Sequence, residues 1–198
     1  MRVLATGAVV LVLASTLVAC GDERTSNDDV ATAQEPESED PEESATTEEA
    51  TEEATCKDDS NDSKGGTPGT EMRKVTVTAQ DDGLVITWWL AGPPNTQNGF
   101  YSMMPNSLDD KRFYQFGVNF RQGVQDGYFV FNFQSLQQEN LDGEAEVGAD
   151  FIRGLFPRPD DLGEEFEWNA SSTSGFKDVD GCPAGPTSIR GIPFPAAE

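Results

Sequence analysis

The side chains that usually perform catalysis are scarce in this sequence. Its 198 residues include no histidine and three cysteines. Without an imidazole, a serine or cysteine nucleophile lacks its usual base, and zinc sites built on histidine or on several cysteines are excluded. Ser174 and Lys177 have the spacing of a serine activated by lysine, but they lie in a Ser/Gly-rich stretch without companion motifs. The sequence therefore predicts a protein that is not an enzyme. A carboxylate-dependent hydrolase is the weaker alternative, because the acidic residues gather in turns and in a low-complexity segment.

Aromatic residues offer a second kind of chemistry, which is ligand binding. In GLVITWWLAG, Trp88 and Trp89 are adjacent, so in a strand their side chains point to opposite faces. One of them can enter a core while the other lies outside as a platform for a sugar ring or a partner side chain. The alternative is a second tryptophan covered by a loop. We expect a ligand to be bound by Trp89 with Tyr101, and Arg112 to be the polar partner.

The N-terminal leader indicates where the protein is located. Arg2 precedes an apolar stretch, Val3–Val18, that is shorter than the roughly twenty residues of a spanning helix. The stretch ends in Leu-Val-Ala-Cys at Cys20, and acidic residues follow. This ending resembles the lipobox of bacterial lipoprotein precursors. The resemblance implies cleavage before Cys20, acylation of Cys20 and anchoring on the extracytoplasmic face of the cell membrane. The alternatives are an uncleaved anchor or an ordinary signal peptide with an incidental cysteine.

An acidic segment follows the leader. Residues 21–64 hold 17 acidic and 3 basic residues, which is −14 of the total net charge of −23. Such a composition cannot bury enough apolar surface to offset the entropy of ordering. We therefore predict a signal peptide at 1–19, a lipid anchor with a disordered acidic linker at 20–55, and one folded domain at 56–198. The TEEA repeat could instead form a short helix. The strong acidity argues against nucleic acid as a partner.

The remaining two cysteines, Cys56 and Cys182, are predicted to form a disulfide, because an exported chain meets an oxidising space. This bridge would bring together acidic residues that flank the two cysteines, and calcium, which prefers oxygen ligands, would relieve their repulsion. The alternative is a set of solvated loop acids. The candidate calcium ligands are Asp58, Asp59, Asp62, Asp178 and Asp180.

The patterning from residue 56 onward is typical of strands. Runs such as KVTVTAQ, GLVITWWLAG, FYQFGVNF, YFVFNFQ and EFEWNASS alternate apolar and polar positions, and turn signals such as QDDG and QDGY separate them. No run has a helical period. The sequence predicts an all-β fold, a single immunoglobulin-like or jelly-roll β-sandwich of seven or eight strands.

The Asp-rich start, the VTVTAQDDGLVITWWLAG hairpin and the late Asp-x-Asp together resemble secreted bacterial β-sandwich modules related to family-9 carbohydrate-binding modules and DOMON domains. The resemblance implies structural calcium at the terminal acids and a sheet face that holds sugar or haem. Haem is not expected here, because the usual histidine ligand is missing. We therefore expect a surface lipoprotein whose sandwich binds an envelope ligand, a wall glycan or a protein. The alternative is a structural or accessory envelope module with no small-molecule ligand.

Overall fold

The computed structural model describes residues 52–58, 63, 65–175, 177–183 and 191–196. These residues form strands and connecting turns, and they include no helix long and apolar enough to cross a membrane. The strands are β1 (Glu53–Lys57), β2 (Met72–Gln80), β3 (Gly83–Leu90), β4 (Gly99–Ser107), β5 (Tyr114–Arg121), β6 (Val124–Asn132), β7 (Gln137–Asn140), β8 (Glu146–Val147), β9 (Phe151–Phe156), β10 (Phe166–Ser174), β11 (Lys177–Cys182) and β12 (Ile192–Phe194).

The strands form two antiparallel sheets. The five-stranded sheet has the order β1-β2-β3-β9-β8, and the seven-stranded sheet has the order β11-β10-β4-β5-β6-β7, with β12 also paired to β10. The prediction of an all-β sandwich is confirmed. The described chain has more strands than predicted, because β7 is wholly polar and β8 and β12, with two and three residues, are too short to show apolar alternation.

The core lies between the sheets and follows the predicted alternation. Trp88, Phe116 and Trp168 are almost fully buried, as are their apolar neighbours two positions away. Phe156 of β9 joins the two sheets, because its ring stacks on Phe116 with centroids 5.3 Å apart and meets Trp88 edge-on at 6.1 Å. Burying each side chain of this size contributes about 1.5–3 kcal/mol.

The predicted disulfide is present. Cys56 of β1 is bonded to Cys182 of β11; the two Cα atoms are 6.1 Å apart, and the residues are 126 positions apart in the sequence. The bond joins an edge strand of one sheet to an edge strand of the other. Strand β1 begins at Glu53, three positions before the predicted start of the domain at Cys56.

Candidate functional site

The outer face of the seven-stranded sheet presents two phenylalanine rings side by side. Phe100 of β4 and Phe129 of β6 are separated by the central strand β5, which has a glycine, Gly117, between them. The two rings are nearly parallel, at 9°, with centroids 5.9 Å apart. A Cβ atom on Gly117 would lie 2.7 Å from an edge carbon of each ring. The glycine therefore allows the rings to meet over the sheet.

This ring pair, which we call the Phe100–Phe129 pair, lies in a groove of about 520 Å³. A volume of this size is in the range of small-ligand sites. The Asp126 carboxylate accepts a hydrogen bond from the Asn119 amide and pairs with Arg121 at 3.1 Å. The groove thus combines an apolar floor with amide, hydroxyl and carboxylate groups. Its polar lining residues are Gln115, Asn119, Asp126, Gln138, Thr173 and Asp178.

The aromatic surface continues along the same face. Phe131 and Phe133 follow Phe129 at alternate positions of the chain, and their ring centroids are 4.9 Å apart. Phe113 adds a third ring, 4.7 Å from Phe133. Phe129 and Phe131 lie on the outer face of β6, since Tyr128 and Val130 point into the core, and Phe133 lies in the turn that follows the strand.

A larger cavity of about 610 Å³ lies beside Tyr114, Val130 and the segment 157–160. The Tyr114 hydroxyl donates a hydrogen bond to Asp161, and burial, reinforced by this carboxylate, raises the pKa of Tyr114 to about 12. Asp161 also pairs with the predicted ligand residue Arg112, whose Nε lies 2.6 Å from its Oδ2. The polar groups of Tyr114, Asp161 and Arg112 are thus engaged with each other.

The other two predicted ligand residues are not brought together. Trp89 is half-buried on the outer face of the five-stranded sheet, as expected for the neighbour of the buried Trp88. Tyr101 belongs to the seven-stranded sheet and is fully buried. Its hydroxyl donates to the Gly69 carbonyl and accepts from the Asn95 amide at 2.8 Å. Tyr101 is therefore a core residue, and this corrects its placement in a surface site.

Two of the predicted calcium ligands, Asp178 and Asp180, differ in their exposure. Asp178 lies opposite Thr173 and is exposed, whereas Asp180 lies opposite Ser172 and is fully buried, because the pairing of β10 with β11 shifts between these positions. Asp180 accepts hydrogen bonds from the backbone amides of Met72, at 2.6 Å, and Gly181, at 2.9 Å.

Asp58 follows β1 and is half-buried. Asp59, Asp62 and the predicted lipidation site Cys20 lie outside the described residues. Within the described ranges, no three metal-ligating side chains form a group.

The Phe100–Phe129 pair was missed by sequence reasoning because its members lie on different strands. Two signals were available. In YFVFNF, both sets of alternating positions contain large apolar residues: Phe129 and Phe131 in one set, Tyr128 and Val130 in the other. Only one set can face the core, so the other had to lie outside it. Gly117 and Gly127 interrupt strand patterns, which indicates close approach of a neighbouring group.

Comparison with protein-family models, with curated proteins and with solved structures finds no match. A functional assignment therefore rests on the geometry of the chain's own surfaces. Of these, the groove with the Phe100–Phe129 pair combines an aromatic floor with side-chain amides from β5 and β7.

Proposed function

We propose that this chain is an envelope lipoprotein, anchored through Cys20, whose β-sandwich binds a neutral glycan in the groove of the Phe100–Phe129 pair. The observation that supports the proposal is the nearly parallel pair of rings in a groove bordered by amides. Binding is proposed without a catalytic step. The acidic segment after Cys20 would separate the sandwich from the membrane.

The chemistry of the groove suits a sugar. A pyranose ring has a face of C–H groups that packs on an aromatic ring, and its rim has hydroxyls that both donate and accept hydrogen bonds. Gln115, Asn119 and Gln138 line the groove, and each amide side chain offers both donors and an acceptor. Two adjacent rings would accommodate consecutive sugar units of a chain.

The size of the groove favours a glycan over a protein partner. Protein interfaces of standard size involve about 20–30 residues on each partner, whereas this groove is lined by ten residues. An aromatic depression bordered by a few polar groups is typical of a small-ligand subsite.

The test is co-sedimentation of the full-length protein, in detergent micelles, with insoluble chitin, cellulose and purified bacterial cell wall. We expect at least one of these polysaccharides to retain the protein. Phe129→Ala should weaken the retention about tenfold or more, since a well-packed aromatic contact of about 1.4 kcal/mol corresponds to that factor.

The matched control is Phe133→Ala. It removes the same side chain from the same face, but Phe133 does not line the groove. Retention by Phe133→Ala should equal that of the unchanged protein. Absence of retention on all three polysaccharides would contradict the proposal, and so would equal losses in the two variants.

A further inference from the structure

The outer face of the five-stranded sheet has basic and aromatic residues in one row. Lys57 of β1 lies directly opposite Lys74 of β2. Lys74 in turn lies opposite Trp89 of β3, and Trp89 lies opposite Phe151 of β9. The register of four strands thus aligns two lysines and two aromatic rings across the sheet. We call these four residues the Lys–Trp row.

Two cations border the aromatic part of this row. The Lys74 ammonium lies 5.0 Å from the centroid of the Trp89 ring, and the Arg153 guanidinium lies 5.2 Å from the centroid of the Phe151 ring. The two rings are 5.2 Å apart and tilted by 49°. Contacts of this kind are electrostatic attractions between a cation and the negative face of a ring.

The basic residues at the two ends of this surface differ in their ion pairs. Arg153 pairs with Glu146 at 3.1 Å and donates a hydrogen bond to Thr87 at 3.3 Å. Lys57 and Lys74 form no ion pair with any described residue. Like charges directly opposite each other on two strands destabilise the pairing. In a chain with a net charge of −23, these two lysines form a local positive surface that an anion would relieve.

A groove of about 520 Å³ adjoins the row, and its lining includes Lys74, Trp89, Arg153, the acidic Glu53 and three threonines, Thr76, Thr78 and Thr87. Glu53 lies opposite Thr78, at the other end of β1 from the pair formed by Lys57 and Lys74. Threonine hydroxyls both donate and accept hydrogen bonds, as a polyhydroxylated ligand requires. The indole Nε1 of Trp89 is buried and has no hydrogen-bond acceptor among the described residues. Such a donor gains free energy when a ligand oxygen reaches it.

We propose that this groove is a second binding site, on the sheet opposite the Phe100–Phe129 pair, and that it binds a sugar bearing a carboxylate. The C–H face of the sugar ring would pack on Trp89. The carboxylate would lie beside Lys74 and Lys57, where charge-assisted hydrogen bonds to the ammonium groups replace the repulsion between them. A ring is needed to cover the indole, so an acyclic polyol phosphate fits this site less well.

The test uses one polymer with and without its charge. The full-length protein in detergent micelles is passed over immobilised polygalacturonate and over the same polymer with its carboxylates methyl-esterified. We expect binding to polygalacturonate that weakens as salt is added, because exposed charges are screened, and little binding to the ester. Lys74→Gln should weaken binding to polygalacturonate about tenfold, the effect of losing one charge-assisted contact.

The matched control is Lys111→Gln. Lys111 is an exposed lysine paired with Asp109 and belongs to neither sheet face, so its replacement removes the same charge without changing the groove. Phe129→Ala should leave polygalacturonate binding unchanged, which separates this site from the neutral-glycan site. Equal binding to both polymers, equal losses in Lys74→Gln and Lys111→Gln, or absence of binding to polygalacturonate would each overturn the proposal.

A third immobilised polymer, poly(glycerol phosphate), tests whether the ligand carries a carboxylate on a sugar ring rather than a phosphate on an acyclic polyol. Weaker binding to it than to polygalacturonate is the expected result. Preference for the phosphate polymer would overturn the assignment of a ring-bearing ligand.

Discussion

Trp88 and Trp89 are adjacent in β3 and lie on opposite sides of the five-stranded sheet. Trp88 is fully buried, and its Nε1 donates a hydrogen bond to the Ser102 carbonyl on the other sheet at 3.3 Å. Trp89 lies on the outer face between Lys74 and Phe151. One strand therefore contributes both to the core and to an outer surface.

The first prediction compares these two tryptophans. Trp88→Ala should destabilise the fold by about 3–5 kcal/mol, because it leaves a cavity between the sheets. Trp89→Ala should cost about 1–2 kcal/mol, the sum of one ring–ring and one cation–ring contact. Urea unfolding of the two variants measures the difference, and equal losses would contradict the assignment of the two faces.

The second prediction concerns Gly117. A methyl group at this position would lie 2.7 Å from both Phe100 and Phe129, so Gly117→Ala should force the rings apart. Neutral-glycan retention should fall to the level of Phe129→Ala, while polygalacturonate binding stays unchanged. Co-sedimentation and the immobilised-polymer assay provide the two readings. Full glycan retention in Gly117→Ala would show that the ring pair is not the binding surface.

The third prediction concerns the buried hydroxyl of Tyr101. Tyr101→Phe removes the donor to Gly69 and the acceptor for the Asn95 amide, which keeps only its bond of 3.3 Å to the Gly69 carbonyl. The loss of two buried hydrogen bonds costs about 1–3 kcal/mol. We expect a loss of stability in that range with glycan binding intact. A variant of unchanged stability that had lost glycan binding would place Tyr101 in a ligand site after all.

The fourth prediction uses the fact that the chain has three tyrosines. Burial raises the pKa of Tyr101 and of Tyr128, and burial together with Asp161 raises the pKa of Tyr114 to about 12. All three groups thus resist ionisation at pH 10, where an unfolded tyrosine is half ionised.

Because the folded pKa values are the higher ones, the stability that these groups contribute is complete below pH 10 and decreases as the pH rises toward 12. The ultraviolet absorbance of the folded protein should show tyrosinate only above pH 10, whereas the tyrosines of the urea-unfolded chain should titrate near pH 10. Titration of any tyrosine in the folded protein at its normal pKa would contradict the burial assigned to it.

The fifth prediction concerns the disulfide. Replacing both Cys56 and Cys182 with serine should lower stability by about 4–5 kcal/mol, because the bond closes a loop of 126 positions in the unfolded chain. Thermal unfolding with and without reductant measures the effect on the unchanged protein. The double variant should be insensitive to reductant, and a reductant effect of equal size in it would point to another cause.

The sequence predicted the sheets better than the surfaces. Alternation identified the buried positions of β3, β5 and β10, because only one face of each is consistently apolar. Alternation could not predict which face of β4 is buried, because both faces of this strand carry apolar residues: Phe100, Tyr101, Met103 and Met104. Pairing with β10 and β5 decides that Tyr101 and Met103 point inward. Because Tyr101 points inward, its neighbour Phe100 points outward and can meet Phe129.

The separation of Asp178 from Asp180 has a similar cause. The sequence grouped them because both precede Cys182, and alternation alone would also place residues two apart on one face. The shift in pairing near Ser172 breaks this rule and directs one carboxylate outward and the other inward. Irregularities of strand pairing depend on long-range packing, which a local pattern does not specify.

The position of the disulfide determines how the domain would bear mechanical load. Strand β1 lies at the edge of its sheet and is the first described strand of the chain, so a pull on the preceding segment would unzip its hydrogen bonds to β2 one after another. The bond at Cys56 stops this process after the first three residues, Glu53 to Thr55. Beyond that point the force passes covalently to β11 on the opposite sheet. If the chain is anchored at Cys20 and binds its ligands as proposed, the domain would thus resist a pulling force without peeling open.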